Sequence, residues 1–227
     1  MSKELFLSEM RRLGVDVSRE TAGQFDALVD TLTRWQKAIN LVGRATLDDV
    51  WGRHILDSAQ IAPLIPDTAG SLVDLGSGGG FPGLAIAILK PHLDVTLIEA
   101  DARKAAFLGE AARRVGLARP PRIVIGRIGE VAAGKADVVT ARALAPLGQL
   151  LTWADSCRTD TAICLFHKGK GWRAELTEAM KDWDIPHQPL SSVTARDAVI
   201  LRIGQYTPSG LRYRQPEGRR RQDHDGD

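Results

Sequence analysis

Leu72-Val73-Asp74-Leu75-Gly76-Ser77-Gly78-Gly79-Gly80-Phe81-Pro82-Gly83, followed by an apolar run and then by Glu99, is the stretch that decides how this chain is read. Leu72 to Leu75 read as a buried strand, the glycines as a turn that lets a ligand touch backbone, and the segment after Pro82 as a helix whose N-terminus opens onto that ligand. Such a turn calls for a nucleotide-like cofactor, and its registration narrows the choice. Read from Gly78, Gly80 and Gly83, a Gly-x-Gly-x-x-Gly pattern begins several residues past the strand; read from Gly76 and Gly78, its third position is Phe81. A dinucleotide fingerprint has its first glycine immediately after the strand. Asp74-x-Gly76-x-Gly78-x-Gly80 fits without a shift and puts a carboxylate at the strand end. A carboxylate is a poor neighbour for a pyrophosphate and a good one for an aminoacyl sulfonium, so the pattern points to S-adenosylmethionine.

Pro82 at the first helical turn loses nothing by lacking an N–H, Leu84 to Leu89 then run on as helix, and Pro91 ends it. Val95-Thr96-Leu97-Ile98 is a second strand ending in Glu99, about 20 residues past the turn, where an acid can accept both ribose hydroxyls. The plainer reading of Glu99 is a charge placed near the start of a helix over 101 to 115.

Composition sets the frame. With 227 residues and 44% hydrophobic content, one compact domain with a small appendage is expected, burying about 70% of its unfolded surface. Cys157 and Cys164 form no Cys-x-x-Cys pair and read as reduced core thiols, so neither a disulfide nor a metal is expected. There is no apolar run of about 18 residues, and Met1-Ser2-Lys3-Glu4 has no signal-peptide core behind it. The expectation is a soluble cytoplasmic protein without membrane contact, a monomer by default. The net charge of +2 hides a tail, 209 to 227, with Arg212, Arg214, Arg219, Arg220 and Arg221 followed by Asp223, Asp225 and Asp227. It reads as disordered, its basic part either solvated or attracted to phosphate.

Three regions separate along the chain. Residues 1–66 form a helical extension in which Phe25, Leu28, Val29, Leu32, Trp35 and Ile39 make one apolar stripe, so Trp35 reads as core. Residues 67–208 alternate strand-like and helix-like segments, implying an α/β fold with a parallel sheet and helices on both faces. Strands are expected at 71 to 75, 94 to 99, 122 to 126, 136 to 140, 161 to 167 and 198 to 203, with another near 184 to 189.

Ligands of such sheets bind outside the carboxyl ends of the strands. Those ends carry Asp74, Glu99, Gly126-Arg127-Ile128-Gly129-Glu130, Arg142 and His167-Lys168-Gly169. Ile128 offers an apolar surface to an adenine, and Glu130 either reads the ring edge or merely starts a helix. The fourth strand end discriminates between reactions. Enzymes that methylate an exocyclic base amine place an Asn/Asp-Pro-Pro-aromatic turn there, whereas this chain has Thr140-Ala141-Arg142-Ala143. Methylation of a pyrimidine carbon needs an activated cysteine, and neither cysteine follows a proline or sits in an electropositive turn. What remains is a nucleophile with its own lone pair, such as guanine N7, for which catalysis is positioning. Arg142 either bonds a guanine edge or phosphate, or anchors its loop through a salt bridge. Arg53-His54-Ile55-Leu56-Asp57-Ser58 is a second cluster, on a helix either functional or a local charge network at spacings of three and four.

Asn40-Leu41, Arg53-His54-x-x-Asp57-Ser58, the Asp74 to Gly83 run, Arg142-Ala143 and Lys168-Gly169 together resemble the bacterial small-subunit ribosomal RNA methyltransferase G family over about residues 25 to 205. The resemblance implies a class I, Rossmann-like methyltransferase fold with a mostly parallel seven-stranded sheet and an N-terminal helical extension. It implies transfer of a methyl group from S-adenosylmethionine to N7 of guanine 527 in 16S ribosomal RNA, free or within the small ribosomal subunit. Carried over residue by residue, Gly76 and Phe81 line the cofactor together with Asp74, Gly78 and Glu99. Ile128 and Gly129 border the adenine, and Arg142 closes the site. Arg53, His54 and Asp57 shape the cofactor and RNA pocket. Where the family often has an acid, this chain has Gly129 with Glu130 beside it, which favours a backbone contact to the adenine. A nicotinamide dehydrogenase, a small-molecule methyltransferase and a non-catalytic RNA-binding module are the competing readings.

Overall fold

A computed structural model describes residues 1–209; the Arg-rich part of the tail lies outside the described residues. Two helices, α1 (Lys3–Arg12) and α2 (Arg19–Trp35), open the chain, each capped by a serine hydroxyl that accepts a backbone N–H. A 3-10 segment (Arg44–Asp49), a π-helical turn (Trp51–Leu56) and the short α3 (Asp57–Ala59) follow. Strands and helices then alternate: β1 (Ser71–Leu75), α4 (Gly83–Leu89), β2 (Asp94–Glu99), α5 (Ala102–Val115), β3 (Arg122–Ile125), β4 (Ala136–Arg142), α6 (Leu147–Cys157), β5 (Arg158–Lys168) and α7 (Trp172–Ala179). The described residues end with β6 (Trp183–Asp184), β7 (His187–Ser191), β8 (Val199–Ile203) and β9 (Thr207–Pro208).

Seven strands form one sheet in the order β3-β2-β1-β4-β5-β8-β7. The first five run parallel, while β8 is antiparallel to β5 and β7 antiparallel to β8, so the sheet is parallel except at one edge. The strand expected near 184 to 189 is two strands. Pro186 cannot donate to a ladder, and the chain breaks there into β6, which pairs with β9, and β7, an edge strand that tolerates Pro189. β5 begins at Arg158 rather than 161, with a register irregularity against β4 between Ala136 and Val138. β3 stops at Ile125 because Gly126 turns away with φ +150° and gives its N–H to the Glu99 carbonyl.

Alternation along the strands sends successive side chains to opposite faces. Leu72, Leu97, Val138 and Leu165 face α1, α2, α4 and α5, whereas Val73, Ile98, Val139 and Phe166 face α6 and α7. The α2 stripe of Phe25, Leu28 and Leu32 lies in the same core as Leu84 and Phe107, so the N-terminal helices share the sheet's core and have none of their own. Trp35 packs there with its ring edge-on to Phe107, 6.0 Å between centroids. Among the described residues no helix is long and apolar enough to cross a membrane.

Candidate active site

Gly76, Gly78 and Gly80 take φ values of +64°, +53° and +85°, the left-handed region that favours glycine. At Gly76 there is also a close approach: a Cβ there would stand 2.5 Å from Leu144 Cδ1, so the loop after β4 rests directly on the turn. The turn is pinned to the end of β2. Ser77 N–H donates to the Ile98 carbonyl at 2.9 Å, and Gly78 N–H donates to Glu99 Oε2 at 2.8 Å. The other Glu99 oxygen accepts from Asp101 N–H at 2.8 Å. Glu99 therefore couples the glycine turn to the loop before α5, while Asp101, not Glu99, caps that helix.

Asp74 corrects the sequence reading. Its side chain is not at the ligand surface: it is fully buried, with Oδ1 accepting from the Thr140 hydroxyl at 2.7 Å and Oδ2 from Gly83 N–H at 3.2 Å. Burial raises its pKa to about 6 against the pull of those donors. The carboxylate thus braces the strand end, the start of α4 and β4 from beneath. Helix α4 covers Gly83–Leu89 and so includes the expected run Leu84 to Leu89, with Pro82 at its cap rather than within its first turn.

A cavity of about 930 Å³ opens along the carboxyl ends of the strands, at the upper end of the size range of ligand sites, roughly 300–1,000 Å³. On the β1–β2–β3 side its wall includes Gly76, Gly78, Phe81, Glu99, Ile128 and Glu130. Trp153 joins them from α6, a residue that sequence reading passed over. Gly129 is exposed and lies outside this wall; its φ of +92° re-aims the chain between Ile128 and Glu130, both of which line it. On the β4–β5–β8 side the wall includes Arg53, His54, Asp57, Arg142, Lys168 and Thr194.

Arg142 organises that second side. Nη1 donates to Asp57 Oδ2 at 3.1 Å and to the Arg53 carbonyl at 2.9 Å, and Nη2 lies 3.1 Å from His54 Nδ1. An arginine only donates, so His54 Nδ1 is the acceptor and the proton sits on Nε2, which donates to Thr46 Oγ1 at 2.7 Å. Thr46 passes its own hydroxyl proton to the Gly43 carbonyl at 2.6 Å. Burial, aided by Arg142, lowers the His54 pKa to about 4, which keeps the ring neutral. Phe81 lies under both groups, stacked on His54 at 5.4 Å and beneath the Arg142 guanidinium at 5.3 Å.

The local charge network expected at spacings of three and four does not form. The π-helical turn over Trp51–Leu56 changes the angular offset of its side chains, and Asp57 turns to Arg142 instead. Arg53 contributes only its carbonyl, leaving its guanidinium exposed at the cavity wall. Asp57 Oδ1 accepts from Thr194 Oγ1 at 2.6 Å and Gln60 Nε2 at 3.1 Å, and the Asp57 carbonyl accepts from His167 Nε2 at 2.7 Å. Burial opposes the charge of Asp57, yet His167, Thr194 and Arg142 outweigh it and hold its pKa below the usual carboxylate range. Thr194 was invisible in sequence, since an isolated hydroxyl in a loop carries no spacing signal. Lys168 turns inward, bonding Glu175 Oε2 at 2.6 Å and the Ala145 carbonyl at 2.9 Å, and so clamps the loop that rests on Gly76.

Cys157 and Cys164 are buried, and burial pushes their thiols up to about 11 and about 12. Neither lines the cavity. Among the described residues no group of three His, Cys, Asp or Glu side chains gathers to hold a metal ion.

Known proteins resemble this chain in fold and in sequence. A methyltransferase from Geobacter sulfurreducens shares the fold at a TM-score of 0.53 and 16% identity, over 78% of this chain and 88% of that one. Ribosomal protein L11 methylase from Lactobacillus delbrueckii subsp. bulgaricus does so at 0.53 and 19% identity, over 65% and 78%. These likenesses establish the class I methyltransferase fold. In sequence, the ribosomal RNA small subunit methyltransferase G of Jannaschia sp. is 47% identical over 191 residues, 82% of this chain and 90% of the relative. That of Paramagnetospirillum magneticum is 48% identical over 187 residues, again 82% and 90%. With the family model for rRNA small subunit methyltransferase G matching residues 21–200, the chain belongs to the rRNA small subunit methyltransferase G family.

Proposed function

We propose that this chain transfers the methyl group of S-adenosylmethionine to N7 of a guanine in 16S ribosomal RNA, as a cytoplasmic enzyme. The observation that carries this reading is the union, in one cavity, of the glycine turn tied to Glu99 with the Arg142–Asp57–His54 cluster. The residues present suit the donor. Left-handed glycines at 76 and 78 expose backbone, Glu99 keeps lone pairs beyond the two it spends on Gly78 and Asp101, and Ile128 with Trp153 supplies apolar wall for a purine. When bound, S-adenosylmethionine supplies a methyl group activated by its sulfonium.

Guanine N7 attacks with a lone pair it already has, so the protein's task is placement. The ionisable groups beside Arg142 agree with that task. His54 gives Nδ1 to Arg142, His167 gives Nε2–H to the Asp57 carbonyl, and the Asp57 carboxylate is held charged between Arg142 and Thr194. His54 Nδ1 and the Asp57 carboxylate are thus occupied as partners rather than poised to take a proton. Arg142 keeps donors beyond its three contacts, suited to the O6 edge of a guanine. The base must leave its stack to reach such an enclosed site.

The test is methyl transfer from labelled S-adenosylmethionine to free 16S RNA and to small ribosomal subunits, with the modified base mapped by cleavage chemistry selective for 7-methylguanine. Label at a single guanine N7 is expected. Label at another atom, or none in RNA while a small-molecule extract accepts it, overturns the reading.

A further inference from the structure

Some surface cations find carboxylates: Arg12 with Glu9, Arg113 and Arg114 with Glu110, Arg119 with Asp94, Arg158 with Asp155 and Lys181 with Glu178. On the cavity wall Arg142 and Lys168 pair with Asp57 and Glu175. Arg53, Lys104 and Arg127 on the cavity wall, and Lys37 and Arg44 beside it, form no ion pair among the described residues. Clustered like charges without partners cost stability, a cost that an anionic ligand removes.

These cations follow a path. A groove of about 360 Å³, lined by Lys37, Asn40, Arg44, Arg103 and Lys104, adjoins the cavity, and Lys104 belongs to both walls. Its one carboxylate among the described residues, Asp101, has Oδ1 committed to the N–H groups of Arg103 and Lys104 and Oδ2 3.6 Å from the Arg103 guanidinium. Four cations thus face one carboxylate already in use. The groove is also preformed. The Gln36 side chain accepts from Leu41 N–H at 2.9 Å and Val42 N–H at 3.0 Å and donates to the Val42 carbonyl at 2.9 Å, folding the 36–44 loop around itself. That loop in turn presses on the glycine turn, where a Cβ on Gly79 would lie 3.1 Å from Val42 Cγ1.

We propose that the Lys37–Arg44–Arg103–Lys104 groove holds the phosphodiester backbone that flanks the methylated nucleotide, so that strand and base enter on one continuous surface. This rests on the RNA methyltransferase reading above and adds where the strand lies. RNA is favoured over an acidic peptide because the groove leads into a cavity sized for a base and a nucleoside donor.

The experiment measures binding of a labelled small-subunit RNA fragment against salt, with KM and kcat for methyl transfer and calorimetric affinity for S-adenosylmethionine alongside. Each single-strand phosphate contact adds about 0.7 to the slope of log K against log salt. The double variant Lys37→Ala/Arg44→Ala is expected to flatten that slope by about 1.4. With affinities converging at high salt, this is about 25-fold weaker binding in roughly 0.1 M salt. KM for RNA should rise while kcat and donor affinity hold, the latter also reporting an intact fold. The charge-preserving pair Lys37→Arg/Arg44→Lys should keep the slope, as should Arg113→Ala/Arg114→Ala at the far end of α5. An unchanged slope and KM in the double variant, with parent activity on RNA intact, overturn the groove alone. A parent chain that neither binds nor methylates RNA overturns the underlying function as well. Equal binding of polyglutamate overturns the assignment to RNA.

Discussion

Asp74→Asn isolates the cost of keeping a carboxylate beneath the glycine turn. In the folded chain this carboxyl is fully buried and its pKa is raised by that burial from 3.8 to about 6. At about 1.4 kcal/mol per pKa unit, the difference is worth about 3 kcal/mol. Between these two values the folded state holds a proton that the unfolded state has released. The stability contributed by protonated Asp74 is therefore complete below about pH 4 and is lost as pH rises through about 6. Asparagine does not titrate, but it has one acceptor oxygen where Asp74 has two, so its NH2 must face either Gly83 N–H or the Thr140 hydroxyl, at a cost of about 1–3 kcal/mol. The variant should start less stable than the parent near pH 4, gain about 3 kcal/mol on it by pH 7, and draw level or pass it. Urea unfolding of both chains at half-unit steps over that range reads the difference directly, because Asp57 and Asp137, whose pKa values are lowered, titrate alike in both. Parallel curves would show that the carboxyl is not strained by burial. A variant falling further behind as pH rises would show that the charged form is the stabilised one.

Arg142→Ala should slow single-turnover methyl transfer to RNA about tenfold or more, and Arg142→Lys should not restore it, since an ammonium cannot meet Asp57, the Arg53 carbonyl and His54 in one fork; an unchanged rate refutes the assignment. The same alanine variant should lose about 1–3 kcal/mol of folding stability, less than for a fully buried pair, because the Arg142 and Asp57 side chains are 16% and 20% exposed and Thr194 still holds Asp57. With the His54 pKa near 4, the rate of methyl transfer should show no His54 inflection between about pH 6 and 8; one that disappears in His54→Asn would contradict the neutral ring.

The parts legible in sequence were those governed by local rules. The glycine turn announces its own conformation, because few residues other than glycine adopt φ values near those of 76, 78 and 80. Glu99 was legible as the acid that ends the second strand, whereas its bond to Gly78 N–H was not, because that contact depends on how the turn folds back over β2. The strand positions followed from runs of β-branched and apolar residues, and they missed mainly where proline cut a run at 186 or where β5 extended past its apolar part to Arg158. Asp74 was misjudged because its charge suggested a ligand, whereas sequence says nothing of Thr140 and Gly83 closing over it. The Arg53–Asp57 segment was misjudged because an α-helical offset was assumed where the backbone widens into a π-turn.

Asp57 makes the remaining difficulty concrete. Its carboxylate and carbonyl gather Arg142 from the end of β4, His167 from β5 and Thr194 from the loop between β7 and β8, partners 85, 110 and 137 residues away. No window of sequence contains such a site, and ordinary spacing rules cannot find it. Phe81 then joins this cluster to the donor side, since it belongs to the glycine turn yet stacks on His54 and underlies Arg142. The two sides of the cavity are consequently one packed unit, in which a displacement of the turn bears on Arg142 through Phe81. The class I fold supplies strand ends in register, and α3, which follows the π-helical turn and lies outside the sheet, supplies Asp57. The helical extension is therefore part of the cavity wall as well as of the core.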